Sequence, residues 1–264
     1  MPIVANGTFR DAGVSRVRQI TCLMLLLVNL LMGATGACAG EVMVAVASNF
    51  LATESELAKA FERQSGHHVV TSSGSTGKLY AQIVQGAPYD IFLAADTVRP
   101  RKLIELGLAS DERFMIYAIG RLALWSPAAA SAEEAKTMLL NKRYKYLAVA
   151  NPKTAPYGAA AEAAMLSLGV GREERTVFGE NISQTYQFVK TGHAELGFVA
   201  LSQVTGGEQE GAIWLVPEKL YSPISQAAVL LKSADNKEAA RAFLTFLGSS
   251  KALAIIASYG YGTN

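Results

Sequence analysis

The segment Glu41–Ser48, EVMVAVAS, is almost unbroken in apolar and β-branched side chains. A strand with one wet face alternates polar and apolar residues. A strand without that alternation is buried on both faces, which is the situation inside a parallel sheet covered by helices. The next segments keep to that architecture. NFLATESELAKAFERQSG (Asn49–Gly66) sets Leu51, Leu57 and Phe61 on one helical face and stops at Gly66. HHVVTSS is a second strand, TSSGSTGKLYAQI (Thr71–Ile83) hands it to a second helix ending near Gly86, YDIFLAAD (Tyr89–Asp96) is a third strand, and RPRKLIELGL is a third helix. This β-α-β-α-β-α order implies a mostly parallel α/β sheet.

The rhythm then changes. RFMIYAIGRLALWS (Arg113–Ser126) is a long extended run with Gly120 in its middle, as expected of a strand that leaves one sheet for another. Alternation resumes with a helix over 132–140, a strand over Tyr146–Pro152 and a helix over Tyr157–Gly169. A further helix runs from Ile182 to a cap at Gly192, followed by a strand over Glu195–Leu201. A second long strand, QAAVLL (Gln226–Leu231), precedes two closing helices. The expected fold is α/β with two lobes, each a mixed, mostly parallel sheet flanked by helices. Two extended hinge crossings, near Gly120 and Ser225, join them. One lobe comprises residues 40–120 plus 225–264, so that the C-terminal helices return to it, and the other comprises residues 121–224.

The first 39 residues read as an export signal. Arg10, Arg16 and Arg18 precede the apolar run Cys22–Met32, and Ala37–Cys38–Ala39 supplies an A-x-A-like cleavage site, so cleavage is expected near Ala39. The run is too short to span a bilayer comfortably. Acylation of Cys38 is the alternative, but Thr35–Cys38 lacks the usual apolar residue three before the cysteine. Cleavage removes those three arginines and Asp11 from totals of 24 basic and 22 acidic residues, leaving 21 of each. A balanced chain has no electrostatic footprint for nucleic acid. Cys22 and Cys38 are the two cysteines, and both lie in the signal region. The exported chain therefore holds neither an internal disulfide nor a thiolate metal site. The expected compartment is a bacterial periplasm.

Ligands of open parallel α/β sheets sit beyond the carboxyl ends of the strands. Those ends carry Ser48–Asn49, Ser75–Thr76–Gly77, APYG (Ala155–Gly158) and ENIS (Glu180–Ser183), each just before a helix. Such residues are good N-caps, and for any one of them taken alone that is explanation enough. Their agreement points further. Helix N-termini present unpaired N–H groups and partial positive charge, and so bind anions without a cation. Four of them facing across a cleft would enclose a small oxyanion, with Ser48, Thr76 and Tyr157 adding hydroxyl donors and Gly74 and Gly77 letting the backbone come close. Ser75 is the competing donor to Thr76. Lys78 is expected to point to solvent, and Asp96 and Glu180 are the acidic residues in these stretches. A donor-only lining suits a fully deprotonated dianion (molybdate, tungstate or sulfate), whereas hydrogen phosphate would want an acceptor.

Two enzyme motifs compete. Ser75–Lys78 satisfies S-x-x-K and Lys190–Gly192 satisfies K-T-G, the pattern of penicillin-interacting serine enzymes, but no S-D-N lies between them and this K-T-G falls at a helix end. GSTGKL has two residues between its glycines where a P-loop has four, and Leu79 where magnesium needs a hydroxyl. His67 and His68 are adjacent on a strand and point to opposite faces, so with His193 distant they read as ordinary histidines. The sequon Asn181–Ser183 carries little meaning in a bacterial chain.

VAVASNF, SSGSTGKLYAQIVQGAPYDIFLAAD, YAIGRLALWS, NPKTAPYG, LGFVALSQV and GYG (Gly260–Gly262), in that order from about Glu41 to the C-terminus, together resemble the periplasmic molybdate-binding proteins of ABC transporters (ModA type). The resemblance implies a type II periplasmic binding protein fold. It implies an oxyanion site at Ser48, Asn49, Thr76 (a serine position in the family), Tyr157 and Ile182, the last acting through its backbone N–H. These residues would touch molybdenum only through its oxo ligands. One branch of the family has a tyrosine where this chain has Ala200, which sets the chain in the branch using Asn49 and Tyr157. The implied protein is a monomeric carrier, not an enzyme and without a cofactor. Its ligand is molybdate or tungstate and its partner is an inner-membrane permease driven by a cytoplasmic ATPase. A sulfate or other tetrahedral-oxyanion carrier of the same fold is the alternative.

Overall fold

A computed structural model describes residues 1–2, 39–171, 173–205 and 210–263. The proposed signal segment and Cys38 lie outside the described residues. From Ala39 onward the chain forms one compact unit.

The first sheet contains β1 (Glu41–Ala47), β2 (His68–Gly74), β3 (Ile91–Leu93), β4 (Met115–Gly120) and β10 (Ile224–Leu230), in the order β2-β1-β3-β10-β4. β1 runs parallel to β2 and β3, whereas β10 is antiparallel to β3 and β4. The second sheet has the order β7-β6-β8-β5-β9, from β5 (Leu122–Ser126), β6 (Leu147–Ala150), β7 (Thr176–Gly179), β8 (Leu196–Ala200) and β9 (Ala212–Leu215). Here β6 is parallel to β7 and β8, and β5 is antiparallel to β8 and β9.

The period of two explains why β1 is so apolar. Val42, Val44 and Val46 face one way, into a core with Leu57 and Phe61 of α1 (Leu51–Ser65) and with Phe243 and Leu247 of a later helix. Ala45 faces the other way, onto Leu79, Phe92, Leu103 and Val229. Leu79 belongs to α2 (Thr76–Val84) and Leu103 to α3 (Val98–Glu105). The second sheet repeats the arrangement. Leu122, Leu124, Val149 and Phe198 bury against α4 (Ala132–Leu140) and α5 (Pro156–Ser167), while Ala123, Trp125, Ala148 and Val199 meet Val189 of α6 (Ile182–Lys190) on the reverse. A short α7 (Leu201–Val204) follows β8. The closing helices, α8 (Glu238–Leu247) and α9 (Ser250–Ser258), join the core of the first sheet.

Several expected elements are altered. The long run over Arg113–Ser126 does pass from one sheet to the other beside Gly120, but as two strands separated by Arg121 alone. The third strand is three residues, Ile91–Leu93, and Ala95 just beyond it borders the site described below. β7 and β9 were not anticipated. Both are four-residue edge strands with partly exposed side chains, too short to show alternation.

Candidate functional site

Ser48, Asn49, Thr76, Tyr157 and Ile182 line one small cavity, together with Ala47, Gly74, Ser75, Ala95, Ala155 and Pro156. Each arrives where a strand of one sheet gives way to a helix. β1 passes through a single 3-10 turn, Ser48–Phe50, into α1, and β2 leads into α2. α5 starts after the loop that follows β6, and α6 starts just beyond β7. The cavity is small, with about 190 Å³ of atom-free space.

N-capping accounts for only some of the polar residues at these helix starts. Ser75 caps α2 by accepting Lys78 N–H at 3.4 Å, and Asn181 caps α6 by accepting Gln184 N–H at 3.0 Å. No side chain caps α1 or α5. The backbone N–H groups of Asn49, Thr76, Tyr157 and Ile182 stand in first turns, where intrahelical acceptors are lacking. Among the described residues no other carbonyl takes them. Thr76 Oγ1 accepts Ala95 N–H at 3.2 Å, which leaves its own proton to donate elsewhere. No charged side chain lines the cavity.

The acidic candidates are occupied. Asp96 pairs with Arg99, and Glu180 pairs with Lys78 at 2.6 Å. Lys78, expected to point to solvent, is therefore tied to the start of α6, although both partners of that pair remain about half exposed. Gly77, expected to let backbone approach an anion, instead admits another backbone. Its N–H donates to Thr154 O at 2.9 Å, and a Cβ there would stand 3.0 Å from Thr154 Cα. Three more bonds join the same two sides. Ser183 Oγ donates to Ser48 O at 3.0 Å, Arg99 Nη2 to Lys153 O at 3.0 Å, and Ser202 Oγ to Asn49 O at 3.1 Å.

Behind the cavity lies a buried polar cluster that the strand-end reasoning missed. Asn49 Nδ2 donates to Gln226 Oε1 at 2.8 Å and to Tyr261 hydroxyl at 3.1 Å, and Tyr117 hydroxyl donates to Ala94 O at 3.2 Å. Phe50 packs edge-on against the rings of Tyr117 and Tyr261, which fixes where those hydroxyls stand. Burial pushes the Tyr157 phenol well above its ordinary range, reinforced by the Tyr261, Tyr117 and Tyr221 hydroxyls and eased by the Gln226 amide. Tyr261 is raised to about 12, also chiefly by burial. All three buried phenols of the cluster therefore stay neutral donors. One signal was visible in the sequence: Gln226 is a lone amide opening an otherwise apolar strand run.

The rival motifs lose their geometry. Lys190 ends α6 and Gly192 follows at φ +75°, so this K-T-G is a helix terminus and not a strand. His67 is buried and accepts Gly40 N–H, whereas His68 is exposed beside Glu62. Among the described residues no cluster of His, Cys, Asp or Glu could hold a metal ion.

Two mixed sheets flanked by helices, with a donor-lined cavity at the helix starts between them, define a type II periplasmic binding protein. A profile of the family described as bacterial extracellular solute-binding protein matches residues 42–262, and the chain belongs to that family. The molybdate-binding protein ModA of Rhodobacter capsulatus is 47% identical over 237 residues, covering 89% of this chain and 93% of that one. The ModA of Azotobacter vinelandii is 47% identical over 234 residues, covering 87% and 92%. The structure of the Azotobacter vinelandii periplasmic molybdate-binding protein superposes with a TM-score of 0.81 at 39% identity, over 84% of this chain and 99% of that one.

Proposed function

We propose that this chain is the periplasmic receptor of a molybdate ABC transporter, which captures molybdate, and tungstate with it, and delivers the anion to a membrane permease. The observation that carries the reading is the lining of the small cavity: hydroxyls and unpaired first-turn N–H groups from four helix starts, with no carboxylate and no cation. Partial charges at helix N-termini favour an anion. A lining that only donates favours one whose oxygens all accept. Hydrogen phosphate would spend its proton against a donor. The relatives from Rhodobacter capsulatus and Azotobacter vinelandii support molybdate over other dianions of this shape.

Ser48, Asn49, Thr76, Tyr157 and Ile182 are the proposed anion contacts, with Ile182 donating through its backbone and Ser48 and Thr76 through hydroxyls as well. The lobes would be residues 40–120 with 225–264 and residues 121–224, turning about the crossings near Gly120 and Ser225. The bonds from Gly77, Ser183 and Arg99 across the cavity belong to the closed arrangement. A liganded closed form presents a surface that the open form lacks, and a permease can read that difference. Binding and release suffice for this role; no catalysis is proposed, and the receptor would act as a monomer after its signal segment is cleaved near Ala39.

The test is thermal unfolding of the ligand-stripped exported protein with molybdate, tungstate, sulfate or phosphate. At about a hundred times its dissociation constant a ligand adds roughly 2.7 kcal/mol. A rise with molybdate and tungstate alone supports the reading. A rise with sulfate keeps the architecture and replaces the substrate, and no rise with any of the four overturns the reading.

A further inference from the structure

Directly after β8, the short helix α7 carries Ser202 and Gln203 side by side, and each reaches a helix start that lines the cavity. Gln203 serves the nearer one. Its Oε1 accepts Ala200 N–H at 3.0 Å and its Nε2 donates to Ile182 O at 3.3 Å. A backbone N–H can only donate and a carbonyl can only accept, so these partners fix the orientation of the amide. Leu201 N–H donates to Arg121 O at 2.9 Å, and Arg121 is the residue between β4 and β5. Thus α7 is held both at the crossing between the sheets and against the start of α6.

Ser202 reaches the other way. It is buried, and its Oγ donates to Asn49 O at 3.1 Å, in the 3-10 turn where β1 passes into α1. The Tyr261 hydroxyl stands 2.8 Å from each of these two oxygens. Two hydroxyl protons serve this triangle. When Tyr261 donates to Asn49 O, Ser202 donates to the Tyr261 oxygen; when Tyr261 donates to Ser202 Oγ, Ser202 donates to Asn49 O. Neither arrangement strands a donor or needs a further proton. Beside Tyr261 the chain also comes close to α7. Gly260 has φ +81°, and a Cβ there would stand 3.1 Å from Leu201 Cδ2 and 3.2 Å from Thr205 Oγ1. Asn49 and Tyr261 lie on the side of the first sheet, whereas Ser202 follows a strand of the second. Without Ser202, Tyr261 keeps Asn49 O, so the first side is complete by itself and contact with α7 adds one bond.

We propose that Ser202 is a positioning residue for anion capture: with α7 held against Ile182 by Gln203, Ser202 sets the start of α6 in register with the Ser48–Phe50 turn of the opposite lobe. The Asn49 and Ile182 N–H groups then meet one anion at a spacing that α7 sets. This rests on the oxyanion reading of the cavity and on its two proposed lobes. The bond forms after the anion is caught, so it slows release and leaves capture unchanged.

The experiment is calorimetric titration with molybdate of the wild-type protein, Ser202→Ala, Gln203→Met and the double variant. Release of radiolabelled molybdate into excess unlabelled anion and thermal unfolding without anion are measured beside it. Ser202→Ala removes one net hydrogen bond, and the expected result is a Kd raised at least threefold. Faster release should carry that rise, with the ligand-free midpoint unchanged. A merely structural role for Ser202 would lower that midpoint and slow capture. In the Gln203→Met background α7 is no longer held against Ile182, and removing the Ser202 hydroxyl should cost less than half the factor it costs in the wild type. A Kd of Ser202→Ala within threefold of the wild type, a loss carried by slower capture, a lowered ligand-free midpoint, or the same factor in both backgrounds overturns the proposal. Failure of the wild type itself to bind molybdate would overturn the oxyanion reading instead.

Discussion

Replacing Thr76 by valine keeps the shape of a side chain that is 1% exposed and deletes its hydroxyl. Two bonds are at stake, and they enter different measurements. Thr76 Oγ1 accepts Ala95 N–H at 3.2 Å in the protein alone. Losing that acceptor strands a buried N–H, which costs roughly 1–3 kcal/mol of folding stability. The penalty is present with and without anion, so it cancels from the affinity. The other bond, from the hydroxyl proton to the anion, exists only in the complex. A hydrogen bond to a charged group is worth about 1.5–3 kcal/mol, or roughly a 10- to 150-fold rise in Kd.

Titration calorimetry reads the second quantity and denaturant melts of the stripped protein read the first. Thr76→Ser retains both bonds and should stay near wild type in affinity. One result would refute the reasoning. An unchanged Kd in Thr76→Val places the donor elsewhere, and an accompanying large loss in Ser75→Ala identifies the neighbouring hydroxyl as that donor.

Three further outcomes are expected. Gly77→Ala sets a methyl 3.0 Å from Thr154 Cα and 3.1 Å from Thr154 O. Overpacking of about 1–3 kcal/mol falls on the closed form alone, so Kd rises while ligand-free stability holds, and equal losses in both would count against a closure contact. Lys78→Ala breaks a half-exposed pair with Glu180 worth about 0–1 kcal/mol; its effect on Kd should be under roughly fivefold and should fade in high salt. Glu54 is buried in α1, and desolvation raises its pKa from 4.5 to about 7, against a lowering bond from Thr71 and with a small push from Glu62. A raised carboxylate means that the folded state holds the proton longer, so stability falls as pH rises from about 4.5 to about 7, by around 3 kcal/mol. Glu54→Gln should therefore gain on the wild type between melts at pH 5 and pH 8, and a constant gap would reject the buried charge as the cause.

What could be read in the sequence was whatever leaves a local periodic trace. β1 is legible because burial on both faces removes every polar position, and α4 falls on residues 132–140 as its pattern implies. The five cavity residues were reachable because each sits at a strand-to-helix junction, a place defined by order along the chain. β7 and β9 leave too few residues for a period, and as sheet edges they bury only part of each side chain. Gln226, Tyr117 and Tyr261 escape for a different reason. Their meaning lies in contacts spanning 177, 109 and 212 positions in the chain, and only the folded register brings them together. Gly77 shows the intermediate case: the need for a glycine was legible, but its neighbour, Thr154, was not.

The contacts that close the two sides over the cavity are protein to protein. Gly77 N–H reaches Thr154 O, Ser183 Oγ reaches Ser48 O and Arg99 reaches Lys153 O, each without an anion between them. In the proposed mechanism such bonds lower the cost of closing but cannot make it depend on ligand, because they form equally in empty and filled sites. Dependence comes only from groups whose partners are missing until the anion arrives. Those are the unpaired N–H groups at four helix starts and the Ser48 and Thr76 hydroxyls. A shift from mostly open to mostly closed takes about 5.5 kcal/mol of differential binding. At about 1.5–3 kcal/mol for each charged hydrogen bond, as few as two to four of these donors supply it. A site built from neutral donors on both sides therefore has enough to couple capture to closure, with the direct contacts setting how far the balance must move.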